Sequence, residues 1–460
     1  MRHLVFGLVM ALLLSSSSAL ASQSSTMAFV TDSASNALLP INLTSLQPSV
    51  PISVGAAPFG VAVLPDGSRV YVSNRGFSTR LNSTVSVIAV ADGSVKTTIT
   101  VGRMPMGVAA DSQGRYVYVA NNLSHSLTVI ATATDTVFTT VPLNNPDGTG
   151  SFSPRGVAVN PNPGMPYVYV TNRSSDDLAI VNTTDWSVER VGGIGTDPYG
   201  VAVAKDGKTV YVALEGDGKL ALVDAVSHQV AKIDVGPAGF NSGPTGVAVG
   251  RDGKVYVTNT ESANLWVVDP ANVDPAKRSV PVYVGGKPVG VSVSPDGSHV
   301  YVANSTGASL FVLSTASNQV STISLPGSNP IAFGIFVLGP TAIAVAIDIK
   351  PGSNQKTINL GSHGVTPVAI LSTSTFSAPA LVNPATVTLA GAPVQLKGDG
   401  VTAVIEERDV NGDGFVDLVV HVQTDAMVVP QGETTVVLEG KTWTGDDIRG
   451  EGTVRIVPGR

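Results

Sequence analysis

The sequence predicts an all-β protein, a seven-bladed β-propeller followed by a small β-sandwich domain. A unit of apolar alternation, turn and apolar alternation recurs six times between residues 58 and 304. Successive copies begin 42–49 residues apart, a period typical of propeller blades. After about residue 340 the repeat stops, and shorter strand-like segments follow to the end of the sequence.

Composition restricts the classes of function. The sequence of 460 residues has a formal net charge of −7 and no Cys, and only 13% of its residues are charged. This length predicts two or more domains. The mildly acidic balance argues against a nucleic-acid partner, and we expect none. Without Cys there are no disulfides, so packing must supply the stability.

Residues 1–21 have the features of a signal peptide: a positively charged start, an apolar run over 4–14 and an A-x-A cleavage site at 19–21. An uncleaved membrane anchor is the alternative, but this run is short for one. The apolar run 331–347 is also short for a membrane span and is interrupted by Gly-Pro. We therefore expect an exported protein, extracellular, at the cell surface or periplasmic, with no transmembrane segment in the mature chain.

The copy at 288–304, PVGVSVSPDGSHVYVAN, shows what each unit builds. Alternating Val residues predict one strand, PDG predicts a turn, and VYVAN predicts a second strand. Two more strand-like runs separate each copy from the next, so we expect four strands per blade, here called A to D. The six copies begin at Pro58, Pro105, Pro154, Pro198, Pro244 and Pro288.

A seventh start, at Pro330, is followed by one strand only. Three strand-like runs, 28–31, 37–43 and 50–54, precede the first copy. We expect these three strands and residues 330–337 to form one blade. Such a shared blade closes the ring over residues 28–338 and removes the two free sheet edges.

The second strands VYVSN, VYVAN and VYVTN, each following P-x-G and a turn such as PDGS, resemble the YVTN family of seven-bladed β-propellers. The resemblance covers about residues 28–338. It implies an exported bacterial or archaeal protein, of a kind that includes surface-layer-like proteins. It does not imply one activity, because propellers host binding proteins, hydrolases and redox enzymes.

An Asn ends strand B in five blades. Its recurrence favours a structural role, in which each side chain bonds the backbone of the B–C turn, over a polar ring for a ligand. We expect the Gly of each P-x-G to allow close approach of the inner strands near the axis. The Asn residues are Asn74, Asn121, Asn172, Asn259 and Asn304.

The variable residue of P-x-G should lie at the mouth of the central channel. These residues are Phe59, Met106, Arg155, Tyr199, Thr245, Val289 and Ile331. None is Asp, Glu or His, which a metal-dependent lactonase-like site would need. The residues predict a mostly apolar funnel with one cation, and the alternative is a packed rim without a ligand.

Further arginines follow in loops predicted near that mouth: Arg75, Arg80, Arg103 and Arg173. With Arg155 they would form a sector that attracts anions, unless they are solvated loop residues. The candidate ligand-binding residues are Phe59, Met106, Arg155, Tyr199, Arg75, Arg103 and Arg173.

Residues 341–460 predict a sandwich of seven to nine strands. Its opening, 346–376, resembles a small β-module appended to exported bacterial and archaeal proteins. The segment DVNGDGFVD spaces oxygen ligands as a Ca²⁺ loop does. The predicted ligands are Asp409, Asn411, Asp413, the Phe415 carbonyl and Asp417.

The twelfth residue of this loop is Val420, where an EF-hand has Glu, so the loop instead resembles the strand-flanked Ca²⁺ loops of extracellular repeats. Three Asp in one tight turn repel one another without a cation. This favours Ca²⁺ over the alternative, an acidic hairpin.

Together these observations predict a secreted, monomeric, non-enzymatic scaffold or binding protein. The propeller face would recognise a protein, a glycan or a small anionic ligand. The alternative is a propeller enzyme, either a lactonase-like hydrolase or a quinone-dependent dehydrogenase. Absence of general bases, metal ligands and a Trp-rich floor at the predicted mouth argues against that alternative.

Overall fold

The structure is a computed structural model that describes residues 26–457 except 77–82, 145–151, 238–240, 273–278, 328, 339–342, 354, 362–363, 374–375, 428 and 444–446. The predicted signal peptide and Arg80 lie outside the described residues. The regular secondary structure of the described chain is almost entirely β-strand, which confirms the predicted all-β class. No helix in the described ranges is long and apolar enough to cross a membrane.

The chain begins in the blade that its two ends share, here called blade 7. Its strands are β1 (Met27–Asp32), β2 (Ala37–Asn42), β3 (Gln47–Pro48) and β4 (Ile52–Ser53). Both β3 and β4 pair with β2, so the outer strand of this blade is split into two short pieces. Pro48 and Pro51 explain the split, because proline cannot donate to a strand ladder.

Blades 1 to 6 each contain four consecutive antiparallel strands, A to D. Blade 1 has β5 (Pro58–Val63), β6 (Arg69–Asn74), β7 (Thr84–Ala89) and β8 (Val95–Thr100). Blade 2 has β9 (Pro105–Ala110), β10 (Tyr116–Asn121), β11 (Ser126–Ala131) and β12 (Thr136–Pro142). Blade 3 has β13 (Pro154–Val159), β14 (Tyr167–Asn172), β15 (Asp177–Asn182) and β16 (Val188–Val191).

Blade 4 has β17 (Pro198–Val203), β18 (Thr209–Leu214), β19 (Lys219–Asp224) and β20 (Val230–Asp234). Blade 5 has β21 (Pro244–Val249), β22 (Val255–Asn259), β23 (Asn264–Val268) and β24 (Ser279–Tyr283). Blade 6 has β25 (Pro288–Val293), β26 (His299–Asn304), β27 (Ser309–Ser314) and β28 (Val320–Ser324). The predicted propeller fold is therefore confirmed.

The side chains of strand B explain how each blade packs against its two neighbours. Side chains alternate between the two faces of a strand, so Val70 and Val72 of β6 face one way and Tyr71 faces the other. The two valines belong to the core shared with blade 7, whereas Tyr71 packs in a cluster with blade 2. The sequence V-Y-V thus fills both interfaces of a blade from one strand.

Blade 7 joins the two ends of the ring. Strand β29 (Val337–Leu338) is its inner strand and pairs antiparallel with β1 through Ala28↔Val337 and Met27↔Leu338. The Asp32 carboxylate also accepts a hydrogen bond of 3.1 Å from the Asn329 N–H. Residues from the two ends of the propeller sequence therefore contact each other and close the ring.

The inner strand of blade 7 is not regular. Pro330 and Val337 lie opposite Asp32 and Ala28, so this strand has more residues than its partner over the same length. Residues 332–335 leave the sheet and run beside β5, where the Phe333 carbonyl accepts a hydrogen bond of 2.9 Å from the Val61 N–H. The seventh copy therefore places a short segment inside the channel.

The recurring Asn side chains are buried, but their partners differ from those predicted. The amide of Asn74 donates to the hydroxyls of Thr84 and Ser86, both at 3.0 Å. That of Asn304 donates to the Val284 carbonyl at 3.1 Å. The side chains thus bond strand C or the preceding D–A connection, and not the backbone of the B–C turn, because Asn is itself inside the ladder.

The C-terminal domain has two sheets around one apolar core. Its elements are β30 (Ile343–Ala344), β31 (Ile347–Ile349), β32 (Thr357–Asn359), β33 (Val365–Ile370), α1 (Ala378–Leu381), β34 (Val382–Leu389), β35 (Ala392–Pro393), β36 (Ile405–Arg408), β37 (Asp417–Gln423), a 3₁₀ turn (Thr424–Ala426), β38 (Gly432–Thr442) and β39 (Asp447–Val457). One sheet has the order β31-β33-β37-β36. The other has the order β30-β39-β38-β34-β35, and β32 also pairs with β39.

Candidate functional site

Side chains near the starts of inner strands, together with Ile331 and Phe333 of the seventh copy, form a closed apolar floor at one end of the channel. Phe59, Met106, Tyr199, Ile331 and Phe333 are all buried there in one cluster, against which Met104 and Val289 also pack. The ring of Phe333 lies 5.5 Å from that of Phe59 and 5.4 Å, edge-on, from that of Tyr199. The predicted funnel is therefore shallow, because aromatic rings fill its base.

Phe333 was not among the predicted residues. It reaches the floor only because residues 332–335 leave the sheet. One feature of the sequence marks this departure from the sheet. The seventh copy reads PIAFG, whereas the other copies have Gly at the third position. A missing Gly does not by itself predict a bulge of this size.

Buried hydroxyls hold the floor in place. Each lies in strand B of one blade and donates to the carbonyl of a floor residue in the next: Thr31 to Phe59 at 3.1 Å, Ser73 to Met106 at 2.6 Å, and Thr171 to Tyr199 at 2.6 Å. The same hydroxyls accept an N–H from their own blade. These bonds fix the backbone beneath the floor side chains, so the floor is pre-formed.

The glycine of P-x-G is needed for this close packing. A β-carbon on Gly156 would lie 2.4 Å from the Tyr199 carbonyl oxygen, and one on Gly200 would lie 2.2 Å from that of Thr245. Both distances are well inside van der Waals contact. Glycine therefore lets each inner strand meet the next one around the axis.

Two guanidinium groups stack on the floor. The Arg75 Cζ lies 4.5 Å from the centre of the Phe59 ring, and the Arg155 Cζ lies 4.3 Å from that of Tyr199. Both contacts have cation–π geometry, which holds each guanidinium against its ring. The mouth therefore carries two cations, where the P-x-G residues alone predicted one.

The two arginines share one electrostatic environment. Burial lowers the pKa of Arg75, and the positive charge of Arg155 lowers it further, although Tyr199 opposes both effects. The Nε atoms of both arginines are buried without a hydrogen-bond partner. Neither guanidinium has a carboxylate partner among the residues that the structure describes.

The other predicted arginines do not belong to this pair. Arg173 forms ion pairs with Asp197 at 2.9 Å and Glu215 at 3.2 Å, so its charge is compensated. Arg103 is exposed. Among the described arginines, the predicted anion-attracting sector thus reduces to Arg75 and Arg155.

Tyr199 is the only floor residue with a titratable side chain. Burial raises its pKa, although Arg155, Arg75 and a hydrogen bond from Arg155 act in the opposite direction. The phenol is therefore protonated at neutral pH and cannot serve as a base. The floor can hold and orient a ligand, but it does not offer an acid and a base placed as a pair.

Beyond Phe333, the channel contains a cavity of about 250 Å³. Val108, Val157, Val201 and Val247 are among its mostly apolar lining residues, and Gly334 and Ile335 of the seventh copy close one side. The segment that supplies Phe333 to the floor therefore also narrows the channel.

The predicted Ca²⁺ ligands lie between β36 and β37 in the C-terminal domain. Asp409, Asn411, Asp413 and Phe415 are exposed, whereas Asp417 is fully buried. No three His, Cys, Asp or Glu side chains gather as a metal-binding group in the described part of the chain. In this conformation the carboxylates do not yet fit one ion, and Ca²⁺ binding stays a prediction.

Hydrogen bonds hold this loop in its present shape. The Asp417 carboxylate accepts N–H groups of Ser372 at 2.7 Å and Val410 at 2.9 Å. That of Asp409 accepts N–H groups of Gly412 at 2.7 Å and Gly414 at 2.9 Å, and these bonds lower the pKa of Asp409. Asp417 thus ties the loop to the sandwich while the other acidic side chains face solvent.

Sequence comparisons support the propeller. The family model described as "Lactonase, 7-bladed beta-propeller" matches residues 23–141, about a quarter of the chain. The antigen Lp49 of Leptospira interrogans is 27% identical over 144 residues, which is 30% of each sequence. The match thus spans less than a third of the length of that curated relative.

Solved structures share the fold over most of the propeller. A Kuenenia stuttgartiensis hydrazine synthase chain is 18% identical, with a TM-score of 0.52, 65% of this chain covered and 92% of that one. A putative 6-phosphogluconolactonase from Bacteroides uniformis is 18% identical, with a TM-score of 0.52 and coverage of 68% and 98%. A functionally unknown protein from Desulfotomaculum acetoxidans is 15% identical, with a TM-score of 0.53 and coverage of 68% and 99%. At such identities the similarity shows the β-propeller fold alone.

Proposed function

We propose that this protein is an exported, non-enzymatic binding protein that recognises a small molecule at the mouth of the propeller channel. One observation carries the proposal: a pre-formed aromatic floor bears two oriented guanidinium groups and no paired acid and base. Pre-formed polar groups over an apolar floor are typical of ligand sites. Export rests on residues 1–21, and the resemblance to YVTN-family proteins is consistent with it.

The mouth supports a small ligand better than a protein or a glycan. The floor residues are buried, and the polar donors converge on one small area around Arg75 and Arg155. A protein interface would need a far larger apolar surface. A glycan would be expected to need several separated hydroxyl partners, whereas this mouth offers concentrated positive charge.

A lactonase-like hydrolase is the second candidate, because a lactonase family model matches part of the propeller. Ring opening by water needs a base to activate the water or a metal to bind it. The carboxylate that acts on the mouth, Glu215, raises the pKa of Tyr199 and lies 3.2 Å from Arg173, with which it forms an ion pair. This arrangement favours binding over hydrolysis.

A panel of lactones, esters and alcohols tests this choice on the full-length mature protein, with and without added divalent metal. We expect no turnover above that of the buffer. Turnover that disappears in Tyr199→Phe or Arg155→Ala would contradict the proposal and establish an enzyme at the mouth. Arg115→Ala is the matched control, because Arg115 precedes strand B at the opposite end of the blade.

A further inference from the structure

Neither Arg75 nor Arg155 forms an ion pair with a carboxylate among the described residues, although Glu215 acts on the floor residue Tyr199. Burial lowers the pKa of Arg75, and the positive charge of Arg155 lowers it further. Elsewhere in the propeller Arg69, Arg173 and Arg190 each lie within 3.5 Å of a carboxylate. Buried charges are normally paired, so these two guanidinium groups are candidates to bind an anion.

The stacking contacts determine which chemical group would fit. The guanidinium carbon lies over a ring, 4.5 Å from its centre for Arg75 and 4.3 Å for Arg155, and each guanidinium carries its N–H donors along its edges. Both Nε donors are buried and unpaired. Guanidinium edges bind the oxygen atoms of carboxylate and phosphate with matching geometry.

The attraction of an anion to the mouth would come from the two arginines and not from the net charge of the protein. The chain has a net charge of −7, so its overall field does not draw in anions. Arg173, another of the predicted arginines, already has Asp197 and Glu215 as partners. A ligand must therefore be recognised by the pair itself, and fixed donors lower the ordering cost of binding.

We propose that Arg75 and Arg155 together bind the oxyanion group of a small molecule, a carboxylate or a phosphate. This inference rests on the proposed function and specifies its ligand class. The oxyanion accepts N–H groups from both guanidiniums and neutralises their mutual repulsion. The rest of the ligand extends away from the floor toward solvent.

Calorimetric titration of the full-length mature protein with inorganic phosphate and with acetate, at low and constant ionic strength, tests the inference. We expect one binding event per chain with at least one probe. Arg75→Ala and Arg155→Ala should each weaken it by about tenfold or more, because each removes a charge-assisted hydrogen bond. Arg75→Gln retains a planar polar group without charge and should lose affinity in the same way. Arg115→Ala should bind as the wild type does.

The two probes distinguish the source of the oxyanion. Tighter binding of phosphate indicates a phosphorylated ligand, and tighter binding of acetate indicates a carboxylic acid. No heat with either probe, or wild-type affinity in folded Arg75→Gln, would overturn the inference and leave the non-enzymatic function standing. Turnover in the activity panel would overturn that function, whereas the anion titrations would still report on the arginine pair.

Discussion

At the scale of single residues, buried hydroxyl groups fix the backbone that carries the floor side chains. Thr171 is fully buried, donates to the Tyr199 carbonyl at 2.6 Å and accepts the Gly156 N–H at 2.8 Å. One side chain thus satisfies two backbone groups in neighbouring blades. Alanine occupies the equivalent position in blades 2, 4 and 6, so the hydroxyl is not required by shape.

Thr171→Ala should destabilise the propeller by about 1–3 kcal/mol, because it leaves a buried carbonyl and a buried N–H without this partner. Urea unfolding followed by far-ultraviolet circular dichroism measures the change. Thr171→Ser keeps the hydroxyl and is the matched control, expected to lose much less. Equal stability of the alanine variant and the wild type would show that the hydroxyl does not hold the floor.

A buried carboxylate gives a pH-dependent test. Asp135 accepts hydrogen bonds from Tyr71 at 2.5 Å and Lys96 at 2.9 Å, and Arg69 lies 2.6 Å away. Burial alone would raise the pKa of Asp135, but these three partners outweigh burial and lower it. A carboxyl whose pKa is lower when folded stabilises the protein above its unfolded pKa.

Asp135→Asn should therefore destabilise the propeller at neutral pH. The difference from the wild type should be lost as pH falls below the unfolded value of about 3.9 and through the lower folded pKa. Thermal unfolding at a series of pH values measures this. A difference that persists unchanged at the acid end would mean that the charge on Asp135 contributes nothing.

Some residues of the site follow from the sequence and others do not. Phe59, Met106 and Tyr199 share the first position after a repeated Pro, so periodicity alone brings them together around an axis. Phe333 depends on a local bulge, which the repeat does not encode. Among the described residues, Arg173 forms ion pairs with carboxylates and Arg75 does not. This difference depends on distances between blades, which the sequence pattern does not contain.

At the scale of elements, one contact recurs between successive blades. A residue near the start of strand D meets a left-handed residue in the C–D turn of the next blade. Lys96 contacts Asp135 at 2.9 Å, and Glu189 contacts His228 at 3.1 Å. The rings of Phe138 and Trp186 make the same link at 6.0 Å. Ionic and aromatic pairs thus serve one structural purpose.

Trp186 is unusual in this series, because it has a φ of 64° where other blades have Gly93, Asp135, His228 and Asn318. A left-handed conformation is strained for a bulky residue. Trp186→Ala should remove the ring contact but keep the backbone strain. Trp186→Gly should remove the ring contact and also relieve the strain. We expect the glycine variant to be more stable than the alanine variant by about 1 kcal/mol, measured by urea unfolding. The opposite order would show that the backbone here is not strained.

The loop before β37 provides the second test at this scale. If it binds Ca²⁺, the dissociation constant should be on the order of 10⁻⁴–10⁻³ M, as in other extracellular modules. Raising Ca²⁺ to ten times that value should add about 1.4 kcal/mol to the stability of the C-terminal domain. Asp413→Ala should remove the gain, because Asp413 faces solvent at the centre of the loop.

Differential scanning calorimetry of the full chain with Ca²⁺ and with EDTA measures this effect. Asp425→Ala, in the 3₁₀ turn of the same domain, is the control for general loss of a carboxylate. Identical transitions in both solutions would mean that the loop is an acidic turn held by its own hydrogen bonds.

At the scale of the whole molecule, ring closure sets the position of the aromatic floor. Residue pairs such as Ala28↔Val337 join the ends of the propeller, and the same connection carries Phe333 into the channel. The seven blades could be predicted because the repeat is regular and its incomplete seventh copy lacks three strands. The segment inside the channel could not be predicted, because only the seventh copy departs from the repeat.

A crystal structure of the protein grown with inorganic phosphate should show an oxyanion at the floor, with its oxygens within hydrogen-bond distance of both Arg75 and Arg155. The two guanidiniums should remain stacked on Phe59 and Tyr199. A well-ordered mouth without an anion, or an anion bound only elsewhere on the protein, would contradict the assignment of the channel mouth as an oxyanion-binding site.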